Sequence, residues 1–194
     1  MRVEEVPARE RILTAAEELF AETGFEATPT SRIAERAGVP KGLVHYYFKR
    51  KPDLLVALVE RLPDERIDMS GVVVDGDVAA SLRALLAELD RRRVESLMLS
   101  NLLYREADTH HTVRDALQDR FRNLVGLIRK VIMAAGSAVQ CKADVDSAAE
   151  LLALAVSYQH SVARHATEPE LGRVTMEREL AFISDALSLG AGGP

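Results

Sequence analysis

Residues 28–55, TPTSRIAERAGVPKGLVHYYFKRKPDLL, constrain this chain more than any other stretch. Ile33, Ala34 and Ala37 fall at helical spacing, and Gly38 follows where a helix must be left through a backbone angle that favours glycine. Thr28 is expected to cap the first helix, with Pro29 at its first position, where a missing N–H costs nothing. Val39 can turn back into the core, and Pro40 fits the start of a second short helix through Phe48. Two short helices joined by a glycine-containing turn form a helix-turn-helix unit. Val44 and Phe48, four apart, should be its inward face, with His45 and Tyr46 outward; Tyr47 suits either packing or readout.

Charge supports a nucleic-acid reading only locally. Between residues 28 and 51 the chain has Arg32, Arg36, Lys41, Lys49, Arg50 and Lys51 against Glu35 alone, whereas the 194-residue chain carries a net charge of −5. A basic patch on an acidic protein suits one small surface docking on a duplex and argues against general polyanion binding.

Around this unit the sequence resembles the TetR family of bacterial transcriptional regulators. The resemblance rests on an amphipathic first helix ending in Phe and then Gly (RILTAAEELFAETGF, Arg11 to Phe25), then Thr28, Ile33-Ala34, Ala37-Gly38-Val39, Lys41-Gly42, His45-Tyr46-Tyr47-Phe48, Lys51 and Leu54. It covers about 50 of the 194 residues without a gap. Pro40 stands where the family usually has Ser or Thr, and Leu43 where it often has a small polar residue. Both fall on the expected reading surface. The residues assigned to DNA are Thr28, Lys41, Leu43, His45, Tyr46, Lys49 and Lys51: lysines for phosphates or, for Lys41, a guanine edge, and ring residues for base edges.

The remaining chain reads as helix. Helix 1 should run from Ala8 to Thr23 with Ile12, Leu13, Ala16, Leu19 and Phe20 on its buried face, and residues 1–7 should fray. A fourth helix begins near Lys51 and is stopped by Pro63. Residues 63–77 read as a loop between domains, because the Val72–Val74 run has no strand to pair with. Five further helices follow: about 78–89, then one ending near Tyr104, one started by Thr112 with Asp115 as its capping box, one capped by Asp146, and a last one carrying Met176 to Leu187. The arginines at 91–93 look like a solvated helix face. The expected fold is all-α: an N-terminal three-helix helix-turn-helix DNA-binding head followed by a helical ligand-binding and dimerisation body, about nine helices in all. The expected division is 1–62 for the head with its linking helix and 63–194 for the body.

Two roles of the body come from the resemblance. A small-molecule pocket is implied among helices 5 to 8, for which the chain offers Met98, Tyr104, Phe121 and Leu152 as apolar lining and Ser100, Asn101, Arg122, Gln159 and His160 as polar groups. Few polar candidates suggest a mostly apolar effector. A homodimer is also implied. Ala148, Ala155 and Ser161 permit close helix approach, and Met176, Leu180, Ile183 and Leu187 supply burial, so two helices from each subunit would make a four-helix bundle.

Other chemistry finds little support. His110 and His111 are adjacent and diverge on any helix, so with Glu106 and Asp108 they make a poor metal set. Cys141 is the single cysteine, which excludes an internal disulfide and fits a reducing compartment. The N-terminus has no signal-peptide pattern, no run spans a membrane, and the expected location is cytoplasmic. No metal, cofactor or catalytic residue is expected. The leading reading is a sequence-specific DNA-binding regulator, a repressor released from a palindromic operator by its effector. The alternative is a helical protein-interaction or scaffold protein that retains the head without regulated DNA binding.

Overall fold

The computed structural model describes residues 6–62, 67–94, 97–136, 142–163 and 176–189, and all regular structure among them is helical. The elements are α1 (Ala8–Thr23), α2 (Thr30–Arg36), α3 (Lys41–Tyr47), α4 (Lys51–Val59), a 3-10 turn at Met69–Gly71, α5 (Val78–Val94), α6 (Leu97–Glu106), α7 (His111–Ala135), α8 (Lys142–Ala163) and α9 (Glu177–Leu189). Among the described residues no helix is long and apolar enough to cross a membrane. Cys141 lies outside them.

The chain folds into two compact units. The first contains Met1–Pro63 and Ser96–Gln118, the second Asp64–Glu95 and Asp119–Pro194. In the first, the expected stripe of α1 is buried, and Ile33 and Ala34 of α2, Val44 of α3 and Leu54, Leu55 and Leu58 of α4 close around it. Leu99, Leu102 and Leu103 of α6 join the same core, because their three- and four-residue spacing turns one face of α6 onto α1 and α4. The packing therefore draws residues 96–118 into the head, whereas the boundary at 63 read from the sequence divides roles.

The second unit has its own core. Val78, Leu82 and Leu85 of α5, Ile128, Val131 and Ile132 of α7, Ala149, Leu152 and Val156 of α8, and Leu180 and Leu187 of α9 are its buried residues. Arg83 of α5 donates to Glu177 of α9 at 2.9 Å, across the same pair of helices. Residues 67–77 form a loop in which the Ser81 hydroxyl accepts from the Val74 N–H at 2.8 Å and Gly76 donates to the Ala135 carbonyl at 2.8 Å. Helix α5 runs past Leu89 to Val94. Arg91 and Arg92, one turn beyond Glu88, both donate to its carboxylate at 2.7 Å and hold it down to about 2, so these arginines serve an exposed helix face.

Three expected helix caps are corrected. α2 begins at Thr30 with Pro29 as its N-cap, so Thr28 caps nothing. Thr112 lies inside α7, whose first turn closes on the His110 carbonyl through Val113 and Arg114 at 3.0 and 3.1 Å. Asp146 sits in the second turn of α8 and pairs with Arg129 at 3.3 Å. For α7 and α8 helical geometry extends upstream of the residue whose side chain signalled a start, whereas α2 begins two residues after Thr28.

Candidate nucleic-acid interface

The turn between α2 and α3 is closed by three backbone bonds: Ala37 N–H to Ile33 at 2.9 Å, Gly38 N–H to Glu35 at 3.1 Å and Val39 N–H to Ala34 at 3.0 Å. Gly38 takes φ 62°, the left-handed value that the Ala-Gly-Val sequence implies. With the turn set, Val44 and Phe48 point into the first core, and the opposite side of α3 is bare. Lys41, Gly42, His45 and Tyr46 are exposed there, Tyr46 at 68%, and Leu43 is half-buried at its edge. Tyr47 is 41% exposed and packs edge-on to Tyr46 with ring centroids 5.2 Å apart. The ammonium of Lys49 lies 5.9 Å from the Tyr46 ring centroid. The result is one convex face with a long cation at each end and phenol rings between them.

Neighbouring charges divide into those bound within the protein and those left outward. Arg36 is tied back to α1, 3.0 Å from Glu18 and 3.2 Å from Glu22, and its hydrogen bond holds the Glu22 carboxyl below its ordinary range. Arg50 donates through its backbone N–H to Asp53 at 2.9 Å and through its guanidinium at 3.3 Å, closing the first turn of α4. The six basic residues counted from the sequence thus overstate the positive surface. Lys41 and Lys49 make no ion pair with a described residue and remain outward.

Lys51 is intermediate. Its Nζ lies 4.3 Å from the Phe25 ring centroid and donates to the Glu26 carbonyl at 3.2 Å; partial burial lowers its pKa, opposed by the carboxylates of Glu26 and Glu106. Phe25 meets the His110 ring edge-on at 4.8 Å, and His110 Nε2 is buried without a hydrogen bond, 3.7 Å from Glu26 and 3.8 Å from Glu106. These groups, all in the first unit, link the start of α4 to the junction of α6 and α7.

Thr28 is a second correction. It is 0% exposed, and its hydroxyl donates to the Gly24 carbonyl at 2.7 Å, with Thr23 Oγ1 at 2.8 Å. A fully buried hydroxyl offers no surface to a phosphate. Its work is at the end of α1, where it satisfies a carbonyl that the helix leaves free.

The pocket candidates divide between the two units. Met98, Ser100, Asn101 and Tyr104 belong to the first unit, and Phe121, Arg122, Leu152, Gln159 and His160 to the second. Met98 is 74% exposed, Asn101 and Tyr104 are exposed, and Ser100 and Gln159 are half-buried. Arg122 is exposed and paired with Asp119, Leu152 is core, and Phe121 is half-buried against that core. The His160 side chain lies outside the described residues, as does that of Ser161. Among the described residues no group of three or more His, Cys, Asp or Glu could hold a metal ion.

The dimer stripe is corrected as well. Ala148, Met176, Leu180 and Leu187 are buried in the chain's own second core, and Ile183 and Ala155 pack against it half-buried. Periodicity identified a buried face of α9, but its partner is α5 of the same chain. On α8 and α9 the large apolar residues left outward are Leu151, Leu154 and Tyr158, at spacings of three and four, and Phe182, 73% exposed. The sequence reading left these four out of the dimer stripe because a small-residue stripe and a heptad-like stripe drew attention to other faces of the two helices. An i, i+3, i+7 pattern on α8 was the available signal.

The fold and the exposed helix define an all-α protein with a helix-turn-helix head. Residues 12–58 match the sequence model described as bacterial regulatory proteins, tetR family, which places that family's sequence pattern in the head. It is 42% identical over 52 residues to the fatty acid metabolism regulator protein of Bacillus subtilis (strain 168), covering 27% of each chain. It is 33% identical over 97 residues to the tetracycline repressor protein class C of Escherichia coli, covering 45% of this chain and 44% of that one. Matches thus span between about a quarter and a half of these curated relatives' length. The solved structure titled SmeT-Triclosan complex superposes with a TM-score of 0.65 at 25% identity, covering 96% of this chain and 95% of that one.

Proposed function

We propose that this chain is a transcriptional repressor that binds a palindromic operator as a homodimer and leaves it when a small, mostly apolar effector binds. The observation that carries the reading is the outward face of α3. A seven-residue helix anchored by Val44 in the first core presents Lys41, His45 and Tyr46 to solvent. Exposed rings beside lysines on the second helix of such a unit suit insertion in a major groove, with Lys41 and Lys49 flanking and Lys51 reaching a phosphate. Leu43 would meet an apolar base edge. A gel shift with the DNA upstream of the gene tests this directly; a complex no tighter than with random duplex refutes it.

One head makes few contacts, so a second copy is part of the proposal. The dimer face consists of Leu151, Leu154 and Tyr158 with Phe182, two helices that pack together and leave these side chains uncovered. Replacing Leu154 and Tyr158 with Glu should give a folded monomer that loses operator binding, whereas Leu180→Glu should unfold the second unit. A wild-type chain that is monomeric at micromolar concentration while binding the palindrome tightly would refute the dimer.

For the effector, support comes from the half-buried apolar side chains Leu86, Leu89, Phe121 and Val125 bordering the second core, and from SmeT, whose structure is titled as a triclosan complex. The route to the head would use α6, which packs on both α1 and α4, and the Phe25–His110 contact beside Lys51. Release of operator DNA by apolar compounds, followed by fluorescence anisotropy, tests it.

A further inference from the structure

We infer that Gly42 is a positioning residue of the DNA interface: it leaves a notch on the outer face of α3 through which the duplex meets the helix backbone itself. The inference rests on the DNA-binding reading above. Glycine inside a helix is destabilising, because it loses more conformational freedom on folding than alanine. α3 can ill absorb that loss, being seven residues long with no side-chain cap at Pro40. A glycine there needs a reason, and the two usual internal reasons are absent. Its φ lies outside the left-handed region, unlike Gly24, Gly38 and Gly76, and a Cβ built on it meets no atom within 4 Å. The Tyr46 ring therefore does not occupy the space, nor does any neighbouring helix.

What surrounds Gly42 points outward instead. It is exposed between Lys41 and Leu43, and lies one turn before His45 and Tyr46, three and four residues on. Side chains on a helix lean toward its N-terminus, so these two rings and Lys41 stand as walls around a floor of bare backbone. A methyl group on that floor would hold α3 away from a base-pair edge by about 1.5 Å, the length of one C–C bond. That is enough to lengthen contacts made by the neighbouring side chains beyond hydrogen-bonding range.

The test is Gly42→Ala in the full chain, with Gly126→Ala as its control. Gly126 lies inside α7, and a Cβ there also meets nothing within 4 Å. Both substitutions should raise the melting temperature, by about 2–4 °C each. Only Gly42→Ala should weaken the operator complex, by about tenfold or more, with a smaller loss on random duplex at low salt, where phosphate contacts dominate. A mutant more stable yet poorer at binding is a result that a merely structural glycine cannot produce. The inference is overturned if Gly42→Ala binds the operator within twofold of the wild type, or if it lowers the melting temperature. Failure of the wild type to prefer any upstream DNA in the same titration would instead remove the DNA-binding reading, and this inference with it.

Discussion

Thr28→Val separates two roles for one residue by opposite observables. The substitution keeps shape and volume and deletes a hydroxyl that is 0% exposed and sits 2.7 Å from the Gly24 carbonyl, 3.3 Å from the Leu19 carbonyl and 2.8 Å from Thr23 Oγ1. Water cannot replace the lost donor, because Val fills the same space. Leaving a buried acceptor without its partner costs about 1–2 kcal/mol. For a chain of this size that lowers the melting temperature by about 2–8 °C. Circular dichroism melts read the loss, and a double-mutant cycle with Thr23→Val should return a coupling of about 0.5–1 kcal/mol, since the two hydroxyls share one bond. Operator affinity, measured well below the transition, should stay within about twofold of wild type, because the hydroxyl never reaches the surface. Unchanged melting with an affinity loss of tenfold would place the hydroxyl on a phosphate and refute the packing argument.

Other substitutions probe the remaining contacts. Tyr46→Ala should narrow the ratio of operator to random-duplex affinity by about tenfold without changing helical content, since its ring is exposed on the face proposed to read bases and takes no part in the core; an unchanged ratio excludes it as a reader. Lys51→Gln should weaken all duplexes alike and lower the salt slope by about 0.9, because a phosphate contact carries no base information; a shift confined to one base preference would contradict it. Arg61 donates to the Glu10 carboxylate at 2.8 Å and holds that carboxyl below its ordinary 4.5, more than burial opposes. With the folded pKa below the unfolded one, this stabilisation is full above about pH 4.5 and is lost as pH falls through the folded value. Arg61→Met should therefore shallow the fall in urea midpoint between pH 5 and pH 3; an unaltered acid limb would show that the pair is irrelevant.

How far the sequence could be read depended on whether the deciding contact was local. The end of α1, the left-handed Gly38 and the inward pair Val44 and Phe48 were legible, since each depends on neighbours within one turn of helix or the loop after it. The Thr28-Pro29 pair misled because Thr before Pro fits a cap, while its actual acceptor is a carbonyl four residues back that only the folded loop brings near. Arg36 misled for a longer-range reason: its carboxylates are 14 and 18 residues away on α1, so charge counting could not register them. For α9 the periodicity of Met176, Leu180 and Leu187 told that the face is buried but carried no information on which chain buries it. The complementary residues, Val78, Leu82 and Leu85, lie about 95 residues earlier. No spacing rule encodes a ligand pocket, because a pocket is a property of several elements at once, so the ligand residues rested on the family resemblance alone.

The tally of outward cations makes the number of heads on DNA measurable. With Arg36 and Arg50 bound to carboxylates, and Arg32 of α2 close enough to Glu22 of α1 to help hold its carboxyl down, Lys41, Lys49 and Lys51 are the cations of each head best placed to meet phosphates. Three phosphates neutralised by one head give a slope of log affinity against log salt of about −3, and six by two heads give about −5. The first figure describes a protein held mainly by one weakly charged surface on a chain of net charge −5, which distant phosphates repel. The second describes two heads bound together, each adding its contacts without paying again for association. Titrating the operator complex between about 50 and 200 mM salt distinguishes them. The Leu154→Glu, Tyr158→Glu monomer should fall from the steeper slope to the shallower one while its head remains folded. If the wild type itself gives a slope near −3, or if the monomer keeps the steep one, the cations that meet DNA are not those left outward on α3 and at the start of α4.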